Sequence, residues 1–371
     1  MAKAKETIIS WLKEAGIEVN GPAPYDIQVN NEKLYSRIIG EGSLGLGEAY
    51  MDGWWDVKDM AEFFNRILRS RLDKKIKLNF KVAWLFLKSY LFNMQNRKKG
   101  MKVAEKHYNL DNDLYMSFLD PYNQYTCGYF KDTEDLNKAQ EQKLELLCKK
   151  LQLKKTDKVL DIGCGWGGFA KYASERYGCT VTGISISDEQ ISYAKEYCKG
   201  LPVTILKMNY RDLKEKFDKV VIVGMIEHVG YKNYKTIFNI VNKSLKKDGL
   251  FVLHTIGGEG SVRGIDSWIE KYIFPNSMLP SVKQIADAAE GLFIMEDWHN
   301  FSAYYDKTLH AWKKNFLNSW DILKIRYDER FKRMWIYYFM ASAGSFRSRR
   351  NQLWQVVFSK KGVSDVYNAP R

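Results

Sequence analysis

From Lys158 onward, short apolar runs recur between longer stretches of helical spacing. The runs predict strands at Lys158–Ile162, Thr180–Ile184, Val203–Leu206, Lys219–Val223, Leu250–Thr255, Phe293–Trp298 and Leu353–Phe358. Helices are predicted between the earlier strands, at Phe169–Tyr177, Asp188–Lys199 and Lys232–Leu245, with the Asp188 carboxylate capping its own helix. Strands separated by helices of this length require a mostly parallel sheet with right-handed crossovers. The last strand follows a helical, aromatic excursion, Asp306–Arg350, and its late position suits an antiparallel strand in a mixed sheet. The expected fold class is therefore α/β, a seven-stranded Rossmann-like sheet.

The pattern before Lys158 differs. Thr7–Ala15 places Ile8, Trp11, Leu12 and Ala15 on one helical face, and Gly16, Gly21, Pro22 and Pro24 end it. A short strand is expected at Asp26–Asn30. The glycines of Gly40–Trp55 suggest a turn entering a helix near Gly47–Met51, with Trp54 and Trp55 as core anchors. Leu68–Lys102 mixes Phe80, Trp84, Leu87 and Leu91 with lysines and arginines, which reads as amphipathic helix with a basic face. Such a helix can lie on anionic lipid or simply pack on its own domain with its lysines in water. Lys138–Leu151 reads as a long amphipathic helix with Leu144, Leu147, Cys148 and Leu151 apolar. These elements divide the chain into a smaller, mostly helical N-terminal domain, 1–100, linked near Asn93–Lys102 to a catalytic domain, 101–371. The segment Glu105–Phe130, aromatic and turn-rich, is expected to cover a ligand. The apolar insertion near 257–291, with Trp268 and Met278, is expected to build a substrate pocket beside the fifth strand, the alternative being extra core.

Composition narrows the partners. Among 371 residues the net charge is +14, which favours a lipid surface, a nucleic acid or an acidic substrate. The five cysteines include no CxxC pair, a reduced pattern without a zinc site, and no metal is expected. The N-terminus carries no apolar signal core, and no run of eighteen apolar residues occurs. The expectation is a cytoplasmic protein whose membrane contact is peripheral.

The chemistry centres on Val159–Gly168, Val-Leu-Asp-Ile-Gly-Cys-Gly-Trp-Gly-Gly, a strand ending in a glycine turn that opens a helix. The spacing of Gly163, Gly165 and Gly168 also fits a dinucleotide loop. Asp161, however, lies inside the strand end, where it suits an amine. The second strand lacks the terminal acid that nicotinamide sites use for ribose and runs instead into Ser185-Ile186-Ser187-Asp188-Glu189-Gln190. S-adenosylmethionine, which has a cationic amino-acid end and no pyrophosphate, is the better fit. A dinucleotide and a purely structural turn remain alternatives.

Several further stretches resemble cyclopropane-fatty-acyl-phospholipid synthases: Glu41-Gly-Ser-Leu-Gly-Leu-Gly-Glu48, the glycine loop, Gly224-Met-Ile-Glu-His-Val-Gly230, His254-Thr-Ile-Gly257, Lys271-Tyr-Ile-Phe-Pro-Asn276, Glu296-Asp-Trp-His-Asn-Phe301 and Leu353-Trp-Gln-Val-Val-Phe358. The resemblance covers nearly the whole chain. It implies transfer of a methylene from S-adenosylmethionine to the cis double bond of unsaturated phospholipid acyl chains in anionic membranes, at the inner face of the cell membrane, by a homodimer. It implies cofactor contacts at Tyr125 and Thr126, beneath the methionine part at Gly163, Cys164 and Gly165, on the ribose side at Ser185–Gln190, and on the adenine side at Tyr210 and Arg211. It also implies a bicarbonate ion held by Cys127, Glu227, His254, Tyr305 and the backbone at Ile256. Some members carry a cysteine before Ala-Gly-x-Phe-Arg; here Ser342 precedes Ala343, so a thiol mechanism at that position is not available.

Each residue has a plainer role available. Glu227 could cap a helix or pair with a lysine, His254 could be a satisfied core histidine, and Cys127 could be a small hydrophobe. The basic residues Arg330, Lys332, Arg333, Arg347, Arg349 and Arg350 could face lipid phosphates or solvent. A nucleic-acid methyltransferase is suggested by charge alone, without an RNA-binding signature, and no nucleic-acid partner is expected. A lipid-binding scaffold without catalysis would need neither Glu227 nor His254. Charge reversal of Lys74, Lys75 and Lys81 tests the basic segment: if it lies on lipid, co-sedimentation with anionic vesicles falls several-fold, and unchanged binding removes the lipid role.

Overall fold

The structure is a computed structural model and describes residues 2–72, 112–262 and 264–371. The expected linker near Asn93–Lys102, the basic stretch from Lys74 to Lys102 and the segment 105–111 lie outside the described residues. The chain forms two compact units. Residues 2–72, 264–275 and 305–351 contribute to the first, and residues 112–262, 276–304 and 352–371 to the second.

The first unit is helical apart from a short antiparallel pair, Gln28–Val29 with Trp55–Asp56. Its principal helices are Ala2–Glu14, Lys33–Met51, Met60–Arg69 and Glu329–Arg347. The expected turn at Gly40–Gly47 shrinks to a single non-helical residue, Gly42 (φ 62°, ψ −134°), which joins two helices within Lys33–Met51, the second running through Gly47–Met51 as expected. Close packing explains Gly47, because a Cβ there would lie 2.4 Å from the Trp268 ring. Trp268 is fully buried and meets Tyr337 at 4.4 Å, so this part of the 257–291 insertion is core of the first unit. Trp55 is buried as expected, while Trp54 is half-buried beneath the Arg37 guanidinium, 4.9 Å from its ring.

Of the arginines expected to face phosphate or solvent, Arg333 and Arg347 are half-buried clasps within the first unit, while Arg330 is exposed as its solvent alternative had it and pairs within the same unit. Arg333 donates to the Tyr50 and Trp55 carbonyls and to Asp56, Arg347 to Asp306 and Glu62, and Arg330 to Asp52. Forked guanidinium donors satisfy several acceptors at once, which suits them to tying separate segments of chain together.

The second unit is built on a seven-stranded sheet: β1 Lys158–Ile162, β2 Thr180–Ser185, β3 Val203–Lys207, β4 Phe217–Val223, β5 Leu245–Gly258, β6 Ile294–Asn300 and β7 Asn351–Ser359, the last beginning at the unit boundary. Spatial order is β3-β2-β1-β4-β5-β7-β6. The pairs among β1 to β5 are parallel, and β6 with β7 is antiparallel, as the late strand suggested. Alternation along each strand splits the core in two. Leu160, Val220, Ile222, Phe251 and Leu253 face the helices Tyr234–Ser244 and Val282–Ala289. Val159, Val221, Val252 and Val357 face the helices Leu136–Lys150 and Gly168–Tyr177. Burial on both faces is what a parallel sheet requires.

The helix Asp188–Tyr197 is capped by Ser187, whose hydroxyl accepts from the Gln190 amide, and not by Asp188. Asp188 is one residue inside the helix and pairs with Lys207 at 2.5 Å. Gly47→Ala should destabilise the first unit by about 1–3 kcal/mol through overpacking against Trp268. Urea unfolding measures this, and an unchanged or higher midpoint would contradict the packing role.

Candidate active site

The alternation that fills the core with valines continues into polar residues at the carboxyl edge of the sheet. Asp161 stands two residues beyond Val159 on β1, His254 two beyond Val252 on β5, and Gln355 two before Val357 on β7. All three therefore share the face covered by the helix Leu136–Lys150. That helix answers with polar groups of its own. Gln140 and Lys143, one turn apart, are fully buried within its apolar stripe. The Lys143 ammonium donates to the Gln124 side-chain oxygen and, at 2.9 Å, to the Thr126 hydroxyl.

Burial shifts these groups strongly. The Asp161 carboxyl is pushed up to about 7 by loss of water, against the pull of Lys143. The Lys143 amine is pushed down to about 7 by the same cause, against Asp120, Cys127 and Asp161. Glu227, in a 3₁₀ turn just past β4, is pushed up to about 7 by burial, partly offset by the Ile256 amide. Burial holds His254 well below the ordinary imidazole range, so its ring is neutral.

The glycine loop joins β1 to the helix Gly168–Tyr177. Gly163 and Gly165 both have positive φ, at 81° and 53°, but for different reasons. A Cβ at Gly163 would strike Met225 at 2.6 Å, whereas one at Gly165 would meet nothing within 4 Å. Gly163 is thus a packing requirement, and the space over Gly165 is open to a ligand. Cys164 is buried against Ile191, Ala194 and Ile205. Beyond β2, the Ser185 hydroxyl meets the Gln190 side chain at 3.4 Å, Ile186 and Glu189 are half-buried, Ser187 is buried and Asp188 is exposed. Tyr210 and Arg211 follow β3 in a short 3₁₀ turn, with the guanidinium 4.5 Å from the Tyr210 ring. Tyr125 lies edge-on to Tyr115 at 5.2 Å. Tyr115 also meets Trp166, whose indole donates to Asn112 at 2.9 Å.

Glu227 and Ile256 meet directly, because the Ile256 amide donates to Glu227 Oε1 at 2.8 Å. His254 Nδ1 lies 3.2 Å from the Gln355 amide nitrogen, which donates to it and leaves the ring proton on Nε2. Cys127 is fully buried, with its Sγ 3.2 Å from the Gly128 carbonyl. Tyr305 belongs to the first unit, where its ring stacks on Phe346 at 4.3 Å. Gln124, Gln140, Lys143 and Gln355 escape a reading that scores only apolar periodicity. Their signal is a polar residue at a stripe position, visible in Gln140-x-x-Lys143-Leu144-x-x-Leu147 and in the glutamine within Leu353–Phe358.

Six atoms here are buried without a hydrogen-bond partner among the described residues: Asp161 Oδ2, Tyr210 Oη, Glu227 Oε2, His254 Nε2 and the side-chain oxygens of Gln140 and Gln355. Buried polar atoms are normally paired, so each marks a place for a bound group. Asp161 Oδ2 beside an open glycine backbone fits an amino-acid ammonium. An acceptor at Glu227 and a donor at His254 fit a small anion that carries its own proton, such as bicarbonate.

Residues 95–356 match the family described as mycolic acid cyclopropane synthetase. The chain is 52% identical over 360 residues to the cyclopropane-fatty-acyl-phospholipid synthase of Escherichia coli (strain K12), covering 97% of this chain and 94% of that one. Among solved structures, the cyclopropane synthase MmaA2 from Mycobacterium tuberculosis matches with a TM-score of 0.66 and 25% identity, covering 70% of this chain and 98% of that one. The mycolic acid cyclopropane synthase CmaA1 complexed with SAH and CTAB matches with a TM-score of 0.65 and 27% identity, with the same coverage of 70% and 98%.

A carboxyl at Asp161 that is to receive an amine must first ionise. Below pH 7 the affinity for S-adenosylmethionine should fall about ten-fold per pH unit, as measured by calorimetry. Asp161→Asn should weaken binding and flatten the profile. A wild-type affinity independent of pH between 5 and 8 would contradict this role.

Proposed function

We propose, from the premise that this chain belongs to the mycolic acid cyclopropane synthetase family, that it transfers a methylene from S-adenosylmethionine to the cis double bond of unsaturated phospholipid acyl chains. Family membership makes the chain a methyltransferase that uses S-adenosylmethionine and acts on lipids. The phospholipid acyl chain as acceptor and bicarbonate as base are the finer parts of the proposal. The observation that carries them is the pair of unpartnered buried atoms, Glu227 Oε2 and His254 Nε2, beside an apolar sheet.

S-adenosylmethionine, when bound, supplies an electrophilic sulfonium methyl, and bicarbonate supplies a small mobile base. Asp161 Oδ2 receives the amino-acid ammonium, and the open backbone at Gly165 admits the methionine part. Ser185–Gln190 and Tyr210–Arg211 flank the ribose and adenine. An alkene is a weak nucleophile, so the site must align it with the methyl and exclude water. A base in direct contact with the reacting carbons could trap the cationic acyl chain covalently. Glu227 avoids this by accepting a proton one step removed: Ile256 fixes its Oε1 and leaves Oε2 as the acceptor. His254 Nε2 is the proposed donor to the anion, with its tautomer set by Gln355. Cys127, in the same unit, is the further residue proposed for the anion site. Aromatic faces add a cation–π attraction of roughly 1–2 kcal/mol to positive charge developing on the chain.

No helix among the described residues is long and apolar enough to cross a membrane. A net charge of +14 supports peripheral attachment to the anionic inner face of the cell membrane, and the homodimer is proposed by likeness to the family.

Protein incubated with S-adenosylmethionine and unsaturated phospholipid vesicles should give acyl chains heavier by one CH₂ with loss of the olefin, read by lipid mass spectrometry. Unchanged chains in bicarbonate-replete buffer would overturn the proposal. Glu227→Gln should lower turnover about 100-fold or more while calorimetry shows S-adenosylmethionine affinity nearly unchanged.

A further inference from the structure

The segment Asp120–Thr126 is gripped from two sides. On one side Gln140 donates to the Thr126 carbonyl at 2.8 Å, and Lys143 holds the Gln124 and Thr126 side chains. On the other, the chain touches backbone where no side chain would fit. A Cβ at Gly168 would lie 1.8 Å from the Tyr122 carbonyl oxygen, and one at Gly224 would lie 2.8 Å from the Thr126 methyl. The segment is thereby pinned between the start of the helix Gly168–Tyr177 and the end of β4.

Neutral hydrogen bonds alone do not explain a lysine here. Lys143 is 0% exposed, at a stripe position that a leucine would fill without desolvating a charge. Its compensation is acidic. Asp120 is buried and accepts the Tyr122 and Gln124 amides, and Asp161 is buried with one oxygen unpartnered. When all three are ionised, one ammonium against two carboxylates leaves one negative charge over, and S-adenosylmethionine carries one net positive charge.

We propose that Lys143 is a positioning residue of the S-adenosylmethionine site: its buried ammonium fixes the segment Gln124–Thr126 over the carboxyl edge of the sheet and supplies the positive charge that balances Asp161. This rests on the function proposed above. Lys143 touches neither the reacting atoms nor the cofactor; it acts through Thr126 and Asp161. The titratable groups around the pair are Asp120 and Cys127 from the covering segment, Cys164 from the glycine loop, Cys198 at the end of the helix Asp188–Tyr197, and His254 from β5. Of the groups acting on Asp161, Lys143 is the one that favours its ionised form.

The test is the pH dependence of S-adenosylmethionine binding, measured by calorimetry from pH 5.5 to 9 on full-length protein. Lys143→Met should raise Kd about ten-fold at pH 7.5 and move the midpoint of the profile up by about one pH unit, because an opposite charge has been removed from beside a buried acid. Lys143→Gln, which keeps a donor and loses the charge, should move the midpoint equally and serves if the methionine variant does not fold. Thr126→Val removes one of the Lys143 hydrogen bonds but no charge, so it should weaken binding with the midpoint unmoved. An unmoved midpoint in both Lys143 variants would reduce the residue to a structural clamp and overturn the proposal. Wild-type protein that binds no S-adenosylmethionine at any pH would instead overturn the functional reading beneath it.

Discussion

Desolvation of a few polar groups constrains everything at the carboxyl edge of the sheet. Asp161, Lys143, Glu227 and His254 are all buried, and each would be more comfortable in water. Their partners are therefore not optional. Gln355 must face His254, the Ile256 amide must face Glu227, and the side chains of Gln124 and Thr126 must face Lys143. These pairings fix the ends of β5 and β7, the turn after β4 and the covering segment relative to β1. The valines one tier below hold the frame; the polar tier fixes what the frame presents. The atoms left unpaired at the end of that accounting are few, and they lie where ligands of open α/β sheets are bound.

Much of this was legible in the chain. The seven strands fall close to the predicted runs; the inner strands β1, β4 and β5 are the clearest, because a strand buried on both faces must be largely apolar, whereas the edge strand β6 is half-exposed and mixed in composition. β5 is longer than its apolar run: it begins at Leu245, is irregular against β4 up to Leu250, and extends past His254 to Gly258, stretches where composition carries no strand signal. Asp161, Glu227 and His254 were visible as polar residues placed at strand ends. Lys143 and Gln140 were not, since long polar side chains on a helix are ordinarily read as its wet face. Asp188 was read as a cap because acids favour helix starts, but Ser187 one residue earlier does that work and leaves the acid to Lys207.

The first unit was harder to read. Glycines at Gly40–Gly47 imply a turn by local propensity, yet tertiary packing overrides propensity when a ring such as Trp268 needs the room. Arginines at the end of a long helix suggest a surface for anions, yet Arg333 and Arg347 satisfy carbonyls and carboxylates of distant segments. Trp268 lies more than two hundred residues from Gly47, as do Tyr50 from Arg333 and Glu62 from Arg347, beyond the reach of any local pattern.

That remoteness bears on how the chain is made. A ribosome releases residues 2–72 long before 264–275 and 305–351, the other parts of the same unit, have been synthesised. At about 5–20 residues per second, the opening helices wait on the order of ten seconds or more for Trp268, Tyr337 and Arg333. During that interval Trp55, Phe63 and Phe64 can pack on one another and on Tyr50 but lack the Tyr337 ring that later meets Trp55 and Phe64. The sheet-bearing unit can begin to assemble in the meantime, so nascent protein passes through a stage in which its earliest-made segment is among the last to find its partners.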